Sequence, residues 1–531
     1  MSKFAKAAVP RQPIGPVTGV GTPTVTHQGG PGYVLSNKSE LYKLAVSNLV
    51  GEDTFYEAAA ERDSRFVKLV HEVTKADPTW VRGFIPWLRD DANMRSAPVV
   101  MAMEYIAAGG PNGHAVVPSA MRRADEPAEA LGYWLTKYGK KMPAALKRGL
   151  ARSVVDLYNQ STPVRYDSSR AAVRPGDVIE LVHPRPKSAV QGELFKHLID
   201  RRHNRAHLTS DSRLVDLAEF YGWEEMPKEE RAHWMAHARA GNTLLPRLAN
   251  WEHLGSWLPN GWNAAAWESV IPQMGYMALL RNLRNFDAAG ISGEARLRVA
   301  ARLQDPLEVM KSRQFPMRFL SAWKAVQSMR WGPALEDAVT LSCSNIPEFK
   351  GQTLVMLDVS GSMADRMSAK SDLQRYEAAA VFAGAISNRN PNRTVVVPYD
   401  TRCYYPQQGS PSAGRRHVHA PVRSILRFVE TIRRMSHGGT NTWGCMADAY
   451  SRFDQISRVI IITDEQVGFA GGHTAHLKCP LYVWNLGGYK PSSIEPAPGK
   501  YVFGGLTDAS FRVIPQLEAG RDGVWPWEVA K

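Results

Sequence analysis

The stretch TLVMLDVSGSM, residues 353–363, decides the fold of the C-terminal part of the chain. Its run of apolar residues predicts a buried strand, and Asp358 follows that run directly. Along a strand, Asp358 and Ser360 point to the same side. The chain then leaves the sheet through Gly361, so Ser362 can turn back toward the other two side chains. A carboxylate with two hydroxyls at the end of a strand suits a metal ion that prefers oxygen ligands.

Two later segments supply further oxygen ligands. The loop GGTNT, residues 438–442, contributes Thr440, and SRVIIITDEQ, residues 457–466, contains an apolar strand that ends at Asp464. Ligands of open α/β sheets collect outside the carboxyl ends of the strands, where both acids are expected. The alternative is that the hydroxyls serve only in turns and helix caps. We predict a divalent cation site, with Mg²⁺ as the natural ion, whose ligands are Asp358, Ser360, Ser362, Thr440 and Asp464.

Strands and helices alternate around these ligands. Apolar runs are found at 394–398, 459–463 and 481–484, and helical stretches at 376–386, 422–435 and 443–453. Such alternation predicts a mainly parallel, doubly wound sheet with helices on both faces. With its ordered ligand motifs, the segment 346–531 resembles a von Willebrand factor A domain carrying a metal-ion-dependent adhesion site.

Length and composition indicate the class of protein and the number of domains. A chain of 531 residues with 44% hydrophobic residues is globular and predicts two or three domains. No apolar run reaches the ~18 residues of a membrane span, so we expect no membrane partner. Residues 1–25 lack the apolar core of a secretion signal, and their Pro, Gly and Thr content predicts a flexible arm.

Net charge indicates which kinds of partner the chain could bind, and cysteine content indicates the cellular compartment. The net charge of +14 suits a polyanionic partner, although charge alone does not separate RNA from DNA or an acidic protein. The four cysteines form no C-x-x-C pair, so neither a zinc site nor a disulfide framework is indicated. We therefore expect a reducing, cytoplasmic location.

The region from Asn37 to Cys343 has helical periodicity almost throughout, within a predicted domain at 26–345. Apolar positions recur at intervals of three and four, and Pro and Gly punctuate them. Many amphipathic helices over this length favour stacked helix pairs, that is, an α-solenoid rather than a compact bundle.

A basic stretch in this region is the candidate nucleic-acid interface. A helix with apolar positions at Leu146, Leu150 and Val154 has basic residues on its other side and is followed by RYDSSRAAVRPGDVIELVHPRPKS, residues 165–188. A solvated basic helix face is the plainer alternative, but arginines interleaved with aromatic rings can pair with phosphates and stack on bases. The predicted RNA-contact residues are Lys137, Lys140, Lys141, Arg148, Arg152, Arg165, Tyr166, Arg170, His183, Arg185 and Lys187.

Four blocks in this part of the chain resemble the Ro autoantigen family and its TROVE module. DVIELVHPRPKS at 177–188 is similar to that family's D-L-L-R-L-x-H-x-K-P-x-S block, and YMALLRNLRNF at 276–286 to its A-L-L-R-N-L helix. The segments at 29–56 and 312–323 resemble its opening and its R-x-x-P-F-x-I-L stretch. The order of the blocks is kept, and the A domain comes last, as in that family.

This resemblance implies HEAT-like repeats closed into a ring and an RNA-binding scaffold without enzymatic activity. Small noncoding Y RNA would bind the outer face, carried over to Arg165, Tyr166, Arg170 and His183. Single-stranded 3′ ends of misfolded RNA would enter the ring hole, and an exoribonuclease would be tethered through Y RNA in RNA quality control. The family's basic block after the Tyr is replaced here by DSS, which puts an acid, Asp167, among the RNA contacts.

Other function classes fit the sequence less well. The chain has no Walker G-x-x-x-x-G-K-[ST] motif, no G-x-S-x-G elbow and no H-E-x-x-H pair. Two-metal nucleases need more clustered carboxylates than the two that the motifs place. The alternative to an RNA scaffold is a metal-dependent protein-interaction module of the adhesion type on a helical platform. We expect a monomer, and core packing is the default role of Trp525 and Trp527 in the tail.

Overall fold

The computed structural model describes most of the chain. The described residues are 22–25, 31–34, 37–47, 59–206, 208, 211–239, 245–258, 261–314, 316–326, 328–367, 372–405, 422–435, 438–453, 455–464, 477–486, 499–504, 514–515, 518, 525 and 527–528. Contacts divide the chain into two compact units. The helical unit comprises 41–53, 57–346 and 527–531, and the α/β unit comprises 1–40, 54–56 and 347–526.

The first part of the chain is helical from Asn37 onward, as predicted. Its helices are α1 (Asn37–Ser47), α2 (Ala59–Ala76), α3 (Pro78–Asp90), α4 (Ser96–Ala107), α5 (Gly113–Ser119), α6 (Glu126–Tyr138), α7 (Ala144–Leu157), α8 (Thr162–Arg165), α9 (Pro175–Val182), α10 (Ala189–Arg202), α11 (Val215–Glu224), α12 (Lys228–Arg239), α13 (Trp251–Trp257), α14 (Ala264–Val270), α15 (Tyr276–Ala289), α16 (Gly293–Leu303), α17 (Pro306–Ser312), α18 (Pro316–Ala325) and α19 (Gly332–Ser342). In the described part of the chain, none of them combines the length and apolar run that a membrane crossing requires.

Helices of this unit pack against near neighbours in sequence. Helix α5 packs on α7, α7 on α9, and α9 on α10, which is the local packing of helical repeats. Within α7, Leu146, Leu150 and Val154 are fully buried, whereas Arg148 and Arg152 are exposed. The period of three and four in the sequence therefore corresponds to the buried stripe of α7.

The α/β unit is built on a five-stranded parallel sheet in the order β4-β3-β5-β6-β7. The strands are β3 (Gln352–Asp358), β4 (Thr394–Tyr399), β5 (Ile456–Thr463), β6 (Leu481–Asn485) and β7 (Lys500–Gly504), and the helices are α20 (Arg375–Arg389), α21 (Ile425–Arg433) and α22 (Thr442–Arg452). Strand β3 lies between β4 and β5, so the strand order reverses beside it. Ligands of such sheets bind outside the carboxyl ends of the strands at this reversal.

The N-terminal segment departs from the predicted division of the chain. Residues 1–21 of the expected arm lie outside the described residues, but its last four form β1 (Thr22–Val25). This strand pairs antiparallel with β2 (Pro31–Val34). The contacts group 1–40 with the α/β unit, whereas the sequence had assigned residues from 26 onward to the helical domain. The main boundary, between Ile346 and Pro347, differs by one residue from the predicted one.

The end of the chain belongs to the helical unit. Trp527 stacks on Phe84, with 4.6 Å between ring centroids and 24° between ring planes. Gly83 makes this approach possible, because a Cβ there would lie 2.4 Å from Cδ1 of Trp527. The core role predicted for this tryptophan agrees with an aromatic cluster formed by Tyr42, Trp80, Phe84, Trp87 and Trp527.

Candidate metal centre and nucleic-acid interface

Asp358 ends β3 and is fully buried. Its Oδ1 accepts a hydrogen bond of 2.9 Å from the backbone N–H of Ser360, and its Oδ2 accepts one of 2.6 Å from the hydroxyl of Thr463 on β5. Burial raises the pKa of Asp358 to about 6, although both of these hydrogen bonds lower it, and the charge of Asp464 raises it further. The carboxylate therefore carries more negative charge than its surroundings neutralise.

The two serines lie beside this carboxylate. Their hydroxyl oxygens are 3.3 Å apart, and Gly361 between them begins a 3-10 turn, Gly361–Ala364. The backbone N–H of Gly361 donates to the carbonyl oxygen of Gly438 over 2.9 Å. This bond ties the loop of Thr440, itself buried, to the loop of the serines. The structure thus brings the predicted hydroxyl ligands to one edge of the sheet.

Asp400 holds the Thr440 loop in place, and the sequence analysis missed it. Its carboxylate accepts hydrogen bonds from the hydroxyl of Tyr404 at 2.8 Å and from the backbone N–H of Gly438 at 3.2 Å. Its backbone carbonyl accepts one from Asn441 at 2.8 Å. Burial acts to raise the pKa of Asp400, but these donors outweigh it and hold the pKa below its ordinary value. The signal was present, because Asp400 directly follows β4 as Asp358 ends β3.

Asp464 directly follows β5, next to β3, and is fully buried. The guanidinium of Arg375 donates to its Oδ2, with Nη1 3.1 Å from that oxygen. No feature of the sequence predicted this pair, since the two residues are 89 positions apart. Arg375 is the first residue of α20, and α20 lies beside the carboxyl ends of the strands.

The chemistry of the donors fits a hard cation. Two buried carboxylates, Asp358 and Asp464, lie at the ends of adjacent strands with neutral hydroxyls around them. Within the described residues, no three His, Cys, Asp or Glu side chains are grouped so that they could hold a metal ion. Such a donor set does not suit zinc, which prefers nitrogen and sulfur ligands. It suits Mg²⁺, which retains waters beside one or two carboxylates.

The predicted RNA-contact residues lie at the surface of the helical unit. Tyr166 is half-buried, and the other ten predicted residues are exposed: Lys137, Lys140, Lys141, Arg148, Arg152, Arg165, Arg170, His183, Arg185 and Lys187. Two contacts join the segment after α9, including the first turn of α10, to the end of α7. Lys187 Nζ lies 2.5 Å from Asp156 Oδ1, and the side chain of Gln191 donates to the carbonyl of Val155 over 2.8 Å.

Three of these cations are compensated by acids. Lys137 donates to the buried carboxylate of Glu104 at 2.9 Å, while Arg152 and Lys187 both lie near Asp156. The others make no ion pair with any residue that the structure describes: Lys140, Lys141, Arg148, Arg165, Arg170, His183 and Arg185. We call these seven side chains without such an ion pair the open basic set. They are available to an anionic partner.

Asp167 does not add negative charge to this surface. Its carboxylate is buried and accepts two hydrogen bonds from Arg174, at 2.6 and 2.8 Å, and one from Arg201 at 2.8 Å. The acid that seemed out of place in the sequence is thus an internal link between segments. Next to it, the guanidinium of Arg123 lies over the ring of Tyr166, 5.7 Å from the centroid, but two hydrogen bonds to Asp125, of 3.0 and 2.9 Å, compensate its charge.

Comparisons with known proteins agree with this architecture. Residues 221–331 match the model of the TROVE domain family. The chain is 24% identical over 372 residues to the RNA-binding protein RO60 of Deinococcus radiodurans, covering 63% of this chain and 65% of that protein. It is also 39% identical over 95 residues to telomerase protein component 1 of Mus musculus, covering 17% of this chain and 4% of that protein.

The crystal structure of the Deinococcus radiodurans Ro protein superposes with a TM-score of 0.65 at 18% identity, covering 90% of this chain and 98% of that one. The chain therefore has the fold of that protein, and its residues 221–331 are similar to the TROVE domain. The family resemblance stated from the sequence is confirmed, as is the fold class of helical repeats with an α/β domain. The chain spans less than two thirds of the length of the sequence relatives it matches.

The TROVE match and the predicted RNA contacts occupy different segments of the chain. The match begins within α11 and ends at Trp331, whereas the predicted contacts lie between residues 137 and 187. The predicted contacts are therefore supported by their exposure and their charge, and not by the TROVE match.

Proposed function

We propose that the chain is an RNA-binding scaffold of the Ro type and not an enzyme. The open basic set carries the proposal, because these exposed side chains have no acidic partner among the described residues. Unpaired surface cations gain by binding phosphates and releasing the counterions that the phosphates had condensed. The names and folds of the relatives support the same class of partner.

In finer detail, small noncoding Y-like RNA would bind at Arg165, Tyr166, Arg170 and His183. Single-stranded or misfolded RNA ends would be held elsewhere on the scaffold, in a ring hole, and a tethered exoribonuclease would act on them. The setting would be RNA quality control by a cytoplasmic monomer. Two binding places predict separable effects, so replacing Arg170 and His183 together weakens small-RNA binding more than single-strand binding.

The main test removes charge from the predicted face. The variant with Arg165, Arg170 and Arg185 replaced by Ala should bind a structured small RNA about 10-fold to 100-fold more weakly at physiological salt. The slope of log affinity against log salt should fall by about two, since each single-strand phosphate contact contributes about 0.7 and each duplex contact about 0.9. Filter binding over a salt series measures both quantities.

A matched variant controls for net charge. Arg205, Arg247 and Arg298 are also exposed arginines of the helical unit, but each is paired with an acid. Replacing these three by Ala makes the same change in net charge and should leave the affinity within about twofold. Equal losses in the two variants would show that binding follows overall charge and not this face. Affinity independent of salt would reject the phosphate interface.

A second candidate function belongs to the α/β unit. We propose that the edge formed by Asp358, Ser360, Ser362, Thr440 and Asp464 holds a divalent cation, with Mg²⁺ as the natural ion. The buried carboxylate of Asp358, which no positive side chain neutralises among the described residues, supports this proposal. A cation held mainly by hydroxyls and two acids keeps open positions that a carboxylate of a protein ligand can fill. A protein partner lost with EDTA but retained with RNase would favour this module, and the reverse would favour the RNA scaffold.

A further inference from the structure

Arg375 is poised at the same edge of the sheet as the candidate metal ligands. Its Nη1 lies 3.1 Å from Oδ2 of Asp464 and 3.3 Å from the carbonyl oxygen of Ser362. The Arg375 side chain is 12% exposed and that of Asp464 is fully buried, so solvent screens their attraction weakly. A positive charge of the chain itself therefore lies against one of the two predicted acidic ligands.

A second acid holds the guanidinium from the solvent side. Nη1 of Arg375 is 3.3 Å from Oδ2 of Asp365, whose side chain is 66% exposed. The backbone N–H of Arg375 also donates to the carbonyl of Asp365 over 2.9 Å. Asp365 directly follows the 3-10 turn that contains Ser362. Among the described residues, the guanidinium thus contacts two acids, one buried at the end of β5 and one at the surface.

A divalent cation at this edge would require the same carboxylate. Asp358 and Asp464 repel each other, and Arg375 offsets that repulsion on the Asp464 side. A metal ion bound to both acids would offset it more fully, but it would also repel the guanidinium. The guanidinium of Arg375, once repelled from Asp464, can remain paired with Asp365, because the two side chains are already in contact.

We propose that Arg375 is an internal counter-cation of the metal centre, which neutralises Asp464 in the metal-free protein and weakens the binding of a divalent cation. This inference rests on the proposed metal site. Metal binding moves the guanidinium from Asp464 toward Asp365 and so couples metal occupancy to the start of α20. Arg375 is a positioning residue that sets the affinity of the site without being a ligand.

The test compares Arg375→Gln with the wild-type chain, using Mn²⁺ as the probe. Residues around metal ligands change metal affinity by about 10-fold to 100-fold when replaced. Because this replacement removes a competing charge, Mn²⁺ should bind about 10-fold more tightly, as measured by electron paramagnetic resonance titration. In EDTA the variant should melt at a lower temperature than the wild type, and saturating Mg²⁺ should remove most of that difference.

Arg366→Gln is the matched control. Arg366 directly follows Asp365, is 65% exposed and pairs with Asp372 at 3.8 Å, and its replacement by Gln changes the net charge by the same amount. Its Mn²⁺ affinity should stay within about twofold of the wild type. Unchanged affinity in Arg375→Gln would make Arg375 purely structural, and weaker affinity would show that it supports the ligands. Either result would overturn the proposal.

A third variant covers a failure of Arg375→Gln to fold. Arg375→Lys keeps the charge but lacks the planar fork that reaches two acids at once. Its Mn²⁺ affinity should lie between those of the wild type and the Gln variant, and an affinity below the wild type would contradict competition. Absence of Mn²⁺ binding in the wild type would reject the metal site itself, whereas binding that is unaffected by Arg375 rejects only this inference.

Discussion

Each unit of the chain contains a completely buried carboxylate. The two carboxylates differ in how many hydrogen-bond donors surround them and in whether a donor is positively charged. Glu104 in the helical unit accepts hydrogen bonds from four side chains, namely those of His71, Tyr133, Lys137 and Tyr138, at 2.5–2.9 Å. Asp358 in the α/β unit accepts from one backbone N–H and one hydroxyl, neither of which is charged. Both side chains are fully buried.

The difference appears in the pKa values. Burial alone would raise the pKa of Glu104, but the hydrogen bonds from Tyr133, Lys137 and Tyr138 outweigh it, and the pKa lies below its ordinary value. Burial dominates at Asp358 and raises its pKa to about 6. A carboxylate that the chain fully satisfies is a structural element, whereas one left short of positive charge suits an external cation.

The largest expected effect comes from breaking the Glu104 cluster. Replacing Glu104 by Gln removes the negative charge opposite Lys137 and puts an amide N–H₂ where donors already point. Loss of one partner of a buried charged pair costs about 3–5 kcal/mol, and we expect about 3 kcal/mol because Lys137 is partly exposed. Urea denaturation followed by far-UV circular dichroism, which reports mainly the helices, measures this loss.

An exposed glutamate provides the control for that measurement. Glu294 pairs with Arg298 one helical turn later, and its side chain is 84% exposed. Its replacement by Gln should change the free energy of unfolding by about 0.5 kcal/mol or less. A loss at Glu104 no larger than this would mean that its four donors find water instead, and the contrast with Asp358 would fail.

The Glu104 cluster also shows where sequence analysis stops. Within SAPVVMAMEYIA, Glu104 is the single charged residue of a largely buried helix, and its partners lie 29–34 positions away. The ligand motifs differ, because Asp358, Ser360 and Ser362 are close in sequence and their local geometry follows from a strand and a turn. Arg375 resembles Glu104 in this respect, since only the tertiary structure brings it to Asp464.

The fold itself was largely predictable. The apolar runs predicted at 394–398, 459–463 and 481–484 correspond to β4, β5 and β6, because buried parallel strands need continuous apolar residues. The edge strand β7, Lys500–Gly504, was missed. The short pair β1 and β2 was missed too, since β1 lies in the predicted flexible arm 1–25 and β2 in the predicted helical domain 26–345.

The next prediction concerns Asp358, a buried carboxylate of the α/β unit. Asp358→Asn keeps the size of the side chain and can still accept from Ser360, but it removes a charge that burial disfavours. In EDTA at neutral pH this variant should be more stable than the wild type by about 2 kcal/mol, since one pKa unit corresponds to about 1.4 kcal/mol. With saturating Mg²⁺ the order should reverse, because only the wild type gains from the ion.

The pH window for this effect follows from the same shift. The folded-state pKa of Asp358 is about 6 against an ordinary value of 3.8, so the folded state binds the proton more tightly. Stability from this group is therefore full below 3.8 and is lost as pH rises through about 6. Differential scanning calorimetry of both chains in EDTA should give converging melting temperatures below that window. A destabilised Asn variant at neutral pH in EDTA would contradict this account of Asp358.

The smallest expected effect concerns His197, a buried base of the helical unit. Its surroundings disfavour its charged form, whereas those of Glu104 favour the charged form. Its ring nitrogen lies 3.1 Å from the hydroxyl of Tyr221, and burial, followed by the charge of Arg201, lowers its pKa to about 4. The unfolded chain binds this proton near 6.5, so stability falls as pH decreases from about 6.5 to about 4. With solvent screening, this loss should be about 1 kcal/mol. His197→Gln, neutral at every pH, should unfold in urea with a shallower pH dependence than the wild type. Identical pH profiles for the two chains would contradict this role of His197.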